Sequence, residues 1–101
     1  MDKIKELASR KAAVIITKSS CFMCYSIKTL FYEMGASPEI YELDKEEGGR
    51  EIERALRMLG CTSVPAVFIG GKFIGSAKDV ISHHVDTSLK QMLIDAKAIW
   101  F

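Results

Sequence analysis

The chain has 101 residues, of which 49% are hydrophobic, and this is enough for a single domain, residues 1–101, with a modest core. Its net charge is +1, with 14 basic and 13 acidic residues spread along the chain, so no basic patch points to nucleic-acid binding. The apolar runs are too short to span a bilayer and the N-terminus has no apolar signal core, so we expect a soluble, intracellular protein.

The N-terminal half of the chain predicts two helix–strand units. Residues 3–10 carry apolar side chains at helical spacing, and the run "AAVIIT" (12–17) is typical of a strand buried on both faces. Residues 27–34 carry an apolar stripe at positions i, i+3, i+4 and i+7, and Gly35 ends this predicted helix. The alternating run 39–43 predicts a second strand.

The C-terminal half predicts a helix, a hairpin and a final helix. Residues 52–59 repeat the helical stripe, which Gly60 ends. The pair Gly70-Gly71 separates two apolar runs, a strong hairpin signal, and residues 89–96 carry the last helical stripe. Strands joined through a helix are parallel and strands of a hairpin are antiparallel, so we expect a four-stranded mixed sheet covered by helices.

Two of the three cysteines form a C-x-x-C motif between the first predicted strand and the next helix, at Cys21 and Cys24. An odd number of cysteines argues against a secreted disulfide framework. The motif alone fits a metal-binding site, a structural disulfide or a redox-active pair. A helix N-terminus and the nearby Lys18 would both favour a thiolate at Cys21 and lower its pKa. Cys24, one turn later and more buried, should stay protonated and resolve a mixed disulfide. The position of the motif therefore favours redox chemistry.

Several longer segments resemble one family over essentially the whole chain. "KSSCFMC", "SVPAVFIGGKFIG" and "SAKDV", in this order, resemble the glutaredoxin family. Finer features, "SIKTLF", "YELDKEEGGREIERAL", "LGC" and the terminal "AKAIWF", are similar to the plant-specific glutaredoxins of the CC type. The resemblance implies an α/β thioredoxin fold and an enzyme of glutathione-dependent thiol–disulfide exchange. It also implies glutathione as co-substrate, glutathionylated or disulfide-containing proteins as partners, and a cytoplasmic location.

The resemblance assigns roles to residues around the motif. Cys21 would be the nucleophile, Cys24 the resolving thiol, and Lys18 the cation that meets one carboxylate of glutathione. Val64 would precede a cis Pro65 and pair with the glutathione backbone through its N–H and C=O groups, as in strand addition.

The same resemblance implies that a helix start and one acidic residue complete the groove. Ala77 and Lys78 would offer backbone N–H groups to the second carboxylate of glutathione. Asp79 would meet the glutathione ammonium group, although Ser76-x-x-Asp79 is also a capping box, and the two roles are compatible. Glu53 stands where many members carry Gln or Arg, and its charge would repel the glycyl carboxylate unless a nearby arginine compensates. The nearby arginines are Arg50, Arg54 and Arg57.

Two metal-binding alternatives are open at this point. A zinc site would need about four ligands, and the available side chains are Cys21, Cys24, Cys61 and His83 or His84. No second metal-binding motif supports such a site, so we assign no metal ligands and expect Cys61 to be a buried thiol. In some relatives an iron–sulfur cluster bridges a dimer, with the nucleophilic cysteine and glutathione as ligands.

The main functional alternative is a binding module. The C-terminal "AIWF", which includes Trp100, stands where relatives carry an "ALWL"-like end that binds TGA-type bZIP transcription factors, and it departs from that end. The CC-type features nevertheless favour a protein that binds such a factor. Such a protein would regulate the factor with little catalytic turnover, and it would add a nuclear location to the cytoplasmic one.

Overall fold

The computed structural model describes residues 2–60 and 64–97. The elements in these ranges, in chain order, are α1 (Asp2–Ala8), β1 (Ala13–Thr17), α2 (Phe22–Glu33), β2 (Glu39–Glu42), α3 (Gly49–Met58), β3 (Ala66–Ile69), β4 (Lys72–Gly75), α4 (Ala77–Val85) and α5 (Ser88–Asp95). Within the two ranges, no helix has the length and apolar character needed to cross a membrane.

The four strands form one mixed sheet in the order β2-β1-β3-β4. β1 runs parallel to β2 and antiparallel to β3, and β3 pairs antiparallel with β4. Gly70 and Gly71 close this hairpin with φ angles of 61° and 80°, a backbone that suits the twist of the strands and that glycine adopts readily. The predicted four-stranded mixed sheet is confirmed.

The central strand β1 is buried on both faces of the sheet, as its continuous apolar run predicts. Val14 and Ile16 belong to an apolar cluster with side chains of α1 and α3. Ala13 and Ile15 belong to a second cluster with side chains of α2, α4 and α5. Because side chains alternate along a strand, these two clusters fix β1 between two layers of helices. The packed strand β1 therefore gives rigid support to the C-x-x-C motif, which follows its C-terminal end.

The prediction of one helix after the hairpin is wrong, because the structure has two. Thr87 separates them with a φ of 68°, and the carboxylate of Asp86 accepts a hydrogen bond from the N–H of Ser88 at 2.9 Å, where α5 begins. The first of the two helices, α4, buries only Ala77 and Val80. Two buried positions are too few to give a recognisable apolar stripe, and only the capping residues mark the start of α4.

Candidate active site

Cys21 is the residue that caps the N-terminus of α2. Its backbone is extended, and its Sγ accepts a hydrogen bond from the backbone N–H of Cys24 at 3.1 Å. The sulfur thus lies at the positive end of a 12-residue helix whose first turn carries no acidic residue. Both features stabilise negative charge on the sulfur, as a low-pKa thiol requires. The predicted place of Cys21 at a helix start is confirmed.

A disulfide joins Cys21 to Cys24, so the structure shows the oxidised form of the pair. Cys24 is only 4% exposed, whereas Cys21 is half-buried. An external substrate can therefore reach the sulfur of Cys21 more easily than that of Cys24. This asymmetry agrees with the predicted division into a nucleophilic and a resolving cysteine.

Val64 brings main-chain polar groups next to the disulfide. The Val64–Pro65 peptide bond is cis, as the resemblance implies. The carbonyl oxygen of Val64 lies 3.9 Å from Cys21 Sγ. Pro65, immediately before β3, is buried, and Val64 is half-buried. An extended ligand attached to the sulfur of Cys21 would therefore pass beside a backbone that can hydrogen-bond to it.

Lys18 forms an ion pair with Glu53 next to the motif. Lys18 Nζ lies 2.7 Å from Glu53 Oε2. This ion pair joins the loop after β1 to helix α3. The hydrogen bond and charge of Lys18, with a smaller contribution from Arg57, hold the pKa of the Glu53 carboxyl below its ordinary value. Lys18 and Glu53 also line a cleft of about 680 Å³ together with Ser20 and Arg50. The sequence left open whether a nearby arginine compensates Glu53, and in the structure the main compensating charge is Lys18.

The loop that carries Lys18 is held by an acidic residue that the sequence analysis missed. Asp44, two residues after the end of β2, accepts a hydrogen bond from the N–H of Ser19 at 3.1 Å and a second one from the Ser19 hydroxyl. These bonds lower the pKa of the Asp44 carboxyl. The N–H of Cys21 donates to the carbonyl of Lys18 at 3.0 Å and closes the same loop as a turn. The signal was available, because the C-terminal ends of parallel β1 and β2 meet at one edge of the sheet.

The remaining predicted site residues lie in the first turn of α4. The N–H of Ser76 donates to the carboxylate of Asp79 at 3.1 Å, which confirms the capping contact predicted for this pair. Ala77 is buried, and Lys78 and Asp79 are exposed. In the described part of the chain no hydrogen bond connects this turn with the disulfide or with the loop before it. The role of these residues in glutathione binding therefore stays a prediction.

Several predictions fall on residues outside the described ranges. These are the buried thiol of Cys61 and the transcription-factor contact through Trp100 and "AIWF", which stay predictions. The zinc alternative also depends on Cys61, and the described ranges contain no group of three or more metal-ligating side chains. A bridging iron–sulfur cluster would take a single cysteine from each chain, so it likewise stays a prediction.

Comparisons with known proteins agree with this geometry. A family model described as Glutaredoxin matches residues 13–74. Two proteins of Arabidopsis thaliana are similar over 99% of this chain and 99% of their own length, Glutaredoxin-C11 with 72% identity and Putative glutaredoxin-C12 with 66%. The crystal structure of a buckwheat glutaredoxin–glutathione complex is 38% identical, covers 98% of this chain and 91% of its own, and has a TM-score of 0.92. With its thioredoxin fold confirmed, the chain belongs to the glutaredoxin family of thiol–disulfide oxidoreductases, in the plant-specific CC-type group.

Proposed function

We propose that the protein reduces glutathionylated proteins and protein disulfides with glutathione, and that Cys21 is its nucleophile. The observation that carries the proposal is the hydrogen bond from the Cys24 N–H to Cys21 Sγ at the N-terminus of α2. This bond places the more exposed sulfur of the pair where a helix stabilises its thiolate. The similarity to a glutaredoxin solved in complex with glutathione supports glutathione as the co-substrate.

The one-thiol route needs only Cys21. Its thiolate attacks the glutathionyl sulfur of a protein–glutathione disulfide, a new S–S bond forms, and the old bond breaks. The electron pair leaves with the protein sulfur, which takes up a proton from solvent. The thiolate of a second glutathione then attacks the glutathionyl sulfur held on Cys21. This step forms glutathione disulfide and returns Cys21 as a thiolate.

The two-thiol route uses Cys24 as well. Cys21 attacks one sulfur of a protein disulfide and becomes joined to it, while the other protein sulfur leaves. Cys24 then loses its proton and attacks the sulfur of Cys21, which releases the second protein sulfur. The product on the enzyme is the Cys21–Cys24 disulfide, the bond present in the structure. Two molecules of glutathione reduce this bond and leave as glutathione disulfide.

The proposed glutathione groove lies on the Val64 side of Cys21. Val64 would pair with the backbone of the tripeptide, since its carbonyl is 3.9 Å from the sulfur that holds the ligand. Lys18 would bind one carboxylate, for which it must leave Glu53. The first turn of α4 would bind the opposite end of the ligand through the N–H groups of Ala77 and Lys78 and the carboxylate of Asp79.

The test is glutathione-coupled reduction of a glutathionylated peptide by the wild-type protein and two single variants. Cys24→Ser should retain this activity because the one-thiol route does not use Cys24, whereas Cys21→Ser should abolish it. Each variant is the matched control of the other, because both remove one thiol from the same motif. Reduction of a protein disulfide should need both residues. Equal loss of peptide deglutathionylation in the two variants would overturn the assignment of Cys21.

A further inference from the structure

A second cleft borders the disulfide between α2 and β2. Its volume is about 170 Å³, and its walls include both active-site cysteines. The side chains that matter here are Tyr25 and Lys28 of α2 and Ile40 and Glu42 of β2. Lys18, which is assigned to the proposed glutathione groove, also lines this cleft, whereas Val64, in the described part of the chain, does not.

The size of the cleft limits what it can hold. Sites for whole small molecules usually measure about 300–1,000 Å³. A cleft of about 170 Å³ is too small for a tripeptide but has room for one side chain of a larger partner. The cleft opens beside the sulfur that reacts with substrate, so a side chain of a protein bound at that sulfur has the cleft within reach.

The charges that line the cleft favour an acidic occupant. Lys18 is paired with Glu53 at 2.7 Å, and Glu42 is paired with Lys45 at 3.4 Å. Lys28 is half-buried and forms no ion pair with any residue in the described ranges. A carboxylate that entered the cleft would therefore meet one cation whose charge is not already balanced.

Two tyrosines flank this cation on the open face of α2. Tyr25 is 68% exposed and Tyr32 is 51% exposed. Residues three and four apart lie on one side of a helix, so Tyr25, Lys28 and Tyr32 form a single stripe. Lys28 Nζ lies 6.0 Å from the ring centroid of Tyr25. Tyrosine is enriched at protein interfaces, where its ring supplies rigid contact area.

We propose that this cleft and stripe form a docking subsite for an acidic side chain of the protein substrate. The proposal rests on the proposed function and adds a preference among protein substrates. α2 rises about 1.5 Å per residue, so Lys28 lies about 10 Å along the helix from Cys21, and its side chain points back toward the helix N-terminus. An extended substrate covers about 3.3 Å per residue. The acidic residue is therefore about two or three positions from the substrate cysteine whose disulfide Cys21 attacks.

The experiment compares two glutathionylated peptides that differ only by Asp or Asn at the third position from the cysteine. The measured quantity is the ratio of their KM values with the wild-type protein, with Lys28→Gln, and with Lys72→Gln as the matched control. Lys72 is an exposed lysine on β4. The wild-type protein and Lys72→Gln should bind the Asp peptide about fivefold more tightly, as expected for one favourable ion pair. Lys28→Gln should give nearly equal KM values for the two peptides. Lys28→Glu should favour a peptide with Lys at the same position.

A binding measurement separates this proposal from the proposed function. The labelled peptides are titrated into the unreactive Cys21→Ser variant, with and without Lys28→Gln, and fluorescence polarisation is recorded. A preference for the Asp peptide that disappears with Lys28→Gln supports the subsite even if turnover with glutathione fails. Equal affinity for both peptides, or a preference that Lys28→Gln leaves unchanged, would overturn it.

Discussion

Lys18 and Glu53 bind each other beside the active-site disulfide, with Nζ and Oε2 2.7 Å apart. In the proposed function Lys18 binds a carboxylate of glutathione, so the ligand must compete with a carboxylate of the protein for the same cation. At an effective dielectric constant near 20, two like charges about 5 Å apart repel by roughly 3 kcal/mol. A third of this repulsion, left after screening, would lower the affinity about fivefold. We therefore expect Glu53 to weaken glutathione binding.

Replacing Glu53 by Gln should lower the KM for a glutathionylated peptide about fivefold, and replacing Lys18 by Gln should raise it. The first change removes the competing charge, and the second removes the cation that both carboxylates need. Glu51→Gln is the matched control, since Glu51 lies on the same helix and pairs with Lys3 instead. If Glu53→Gln leaves the kinetics unchanged while Lys18→Gln impairs them, the carboxylate of Glu53 plays no part in the groove.

The effect of Glu53 should be insensitive to pH between 5 and 8. Lys18 holds the pKa of Glu53 below its ordinary value, so the carboxylate stays charged throughout this range. For a lowered pKa, the contribution of the ion pair to stability is complete above the unfolded value and is lost as pH falls through the folded value. The KM ratio of wild type to Glu53→Gln should therefore be flat across this range. A ratio that declines between pH 7 and pH 5 would contradict the ion pair.

Cys21 should have a pKa well below the ordinary thiol value of about 8.5, and Cys24 a pKa near or above it. The helix N-terminus and the Cys24 N–H both stabilise the thiolate of Cys21 and so lower its pKa. The nearby charge of Lys18 is balanced by Glu53. Lys18→Gln should therefore raise the pKa of Cys21, because it removes the cation and leaves the carboxylate of Glu53 unbalanced. Alkylation rates measured against pH on single-cysteine variants give both values. A Cys21 that titrates at or above 8.5 would remove the physical basis of its reactivity.

Asp44 should act as a positioning residue for the loop that leads to Cys21. Asp44→Ala removes both hydrogen bonds to Ser19 and should lower catalytic efficiency about tenfold, since a misplacement of about 1 Å can cost up to about a hundredfold. Asp44→Asn can still accept the Ser19 N–H and should recover most of the loss. The pKa of Cys21 should shift in Asp44→Ala and return in Asp44→Asn. Equal losses in the two variants with an unchanged Cys21 pKa would indicate only a general loss of stability.

The sequence predicted those parts of the fold that depend on local patterns. The continuous apolar run of β1 corresponds to a strand buried between two helical layers, and the pair Gly70-Gly71 corresponds to the turn of the hairpin. The boundary between α4 and α5 could not be predicted in this way. It depends on a single positive φ angle at Thr87, a residue type that does not usually mark such a turn. α4 also buries too few side chains for its sequence to show apolar residues at helical spacing.

The site was predictable where one motif carries it and not where distant segments meet. The place of Cys21 at a helix start follows from a strand, a C-x-x-C motif and a helix in order. The contacts of Lys18 with Glu53 and of Ser19 with Asp44 join residues that are far apart in the sequence. The parallel pairing of β1 and β2 was a signal for the contact of Ser19 with Asp44, but no local pattern reports how α3 packs against the loop that carries Lys18.

In the proposed function Cys21 is the sulfur that accepts glutathione, and the sulfur that becomes modified can be identified directly. Cys24→Ser and Cys21→Ser, each combined with Cys61→Ser so that one cysteine is left, are incubated with glutathione disulfide and analysed by mass spectrometry. The protein that retains Cys21 should carry one glutathione, which a reducing agent removes, and the protein that retains Cys24 should carry none. Glutathione on Cys24 to the same extent, or its absence from Cys21, would contradict the account.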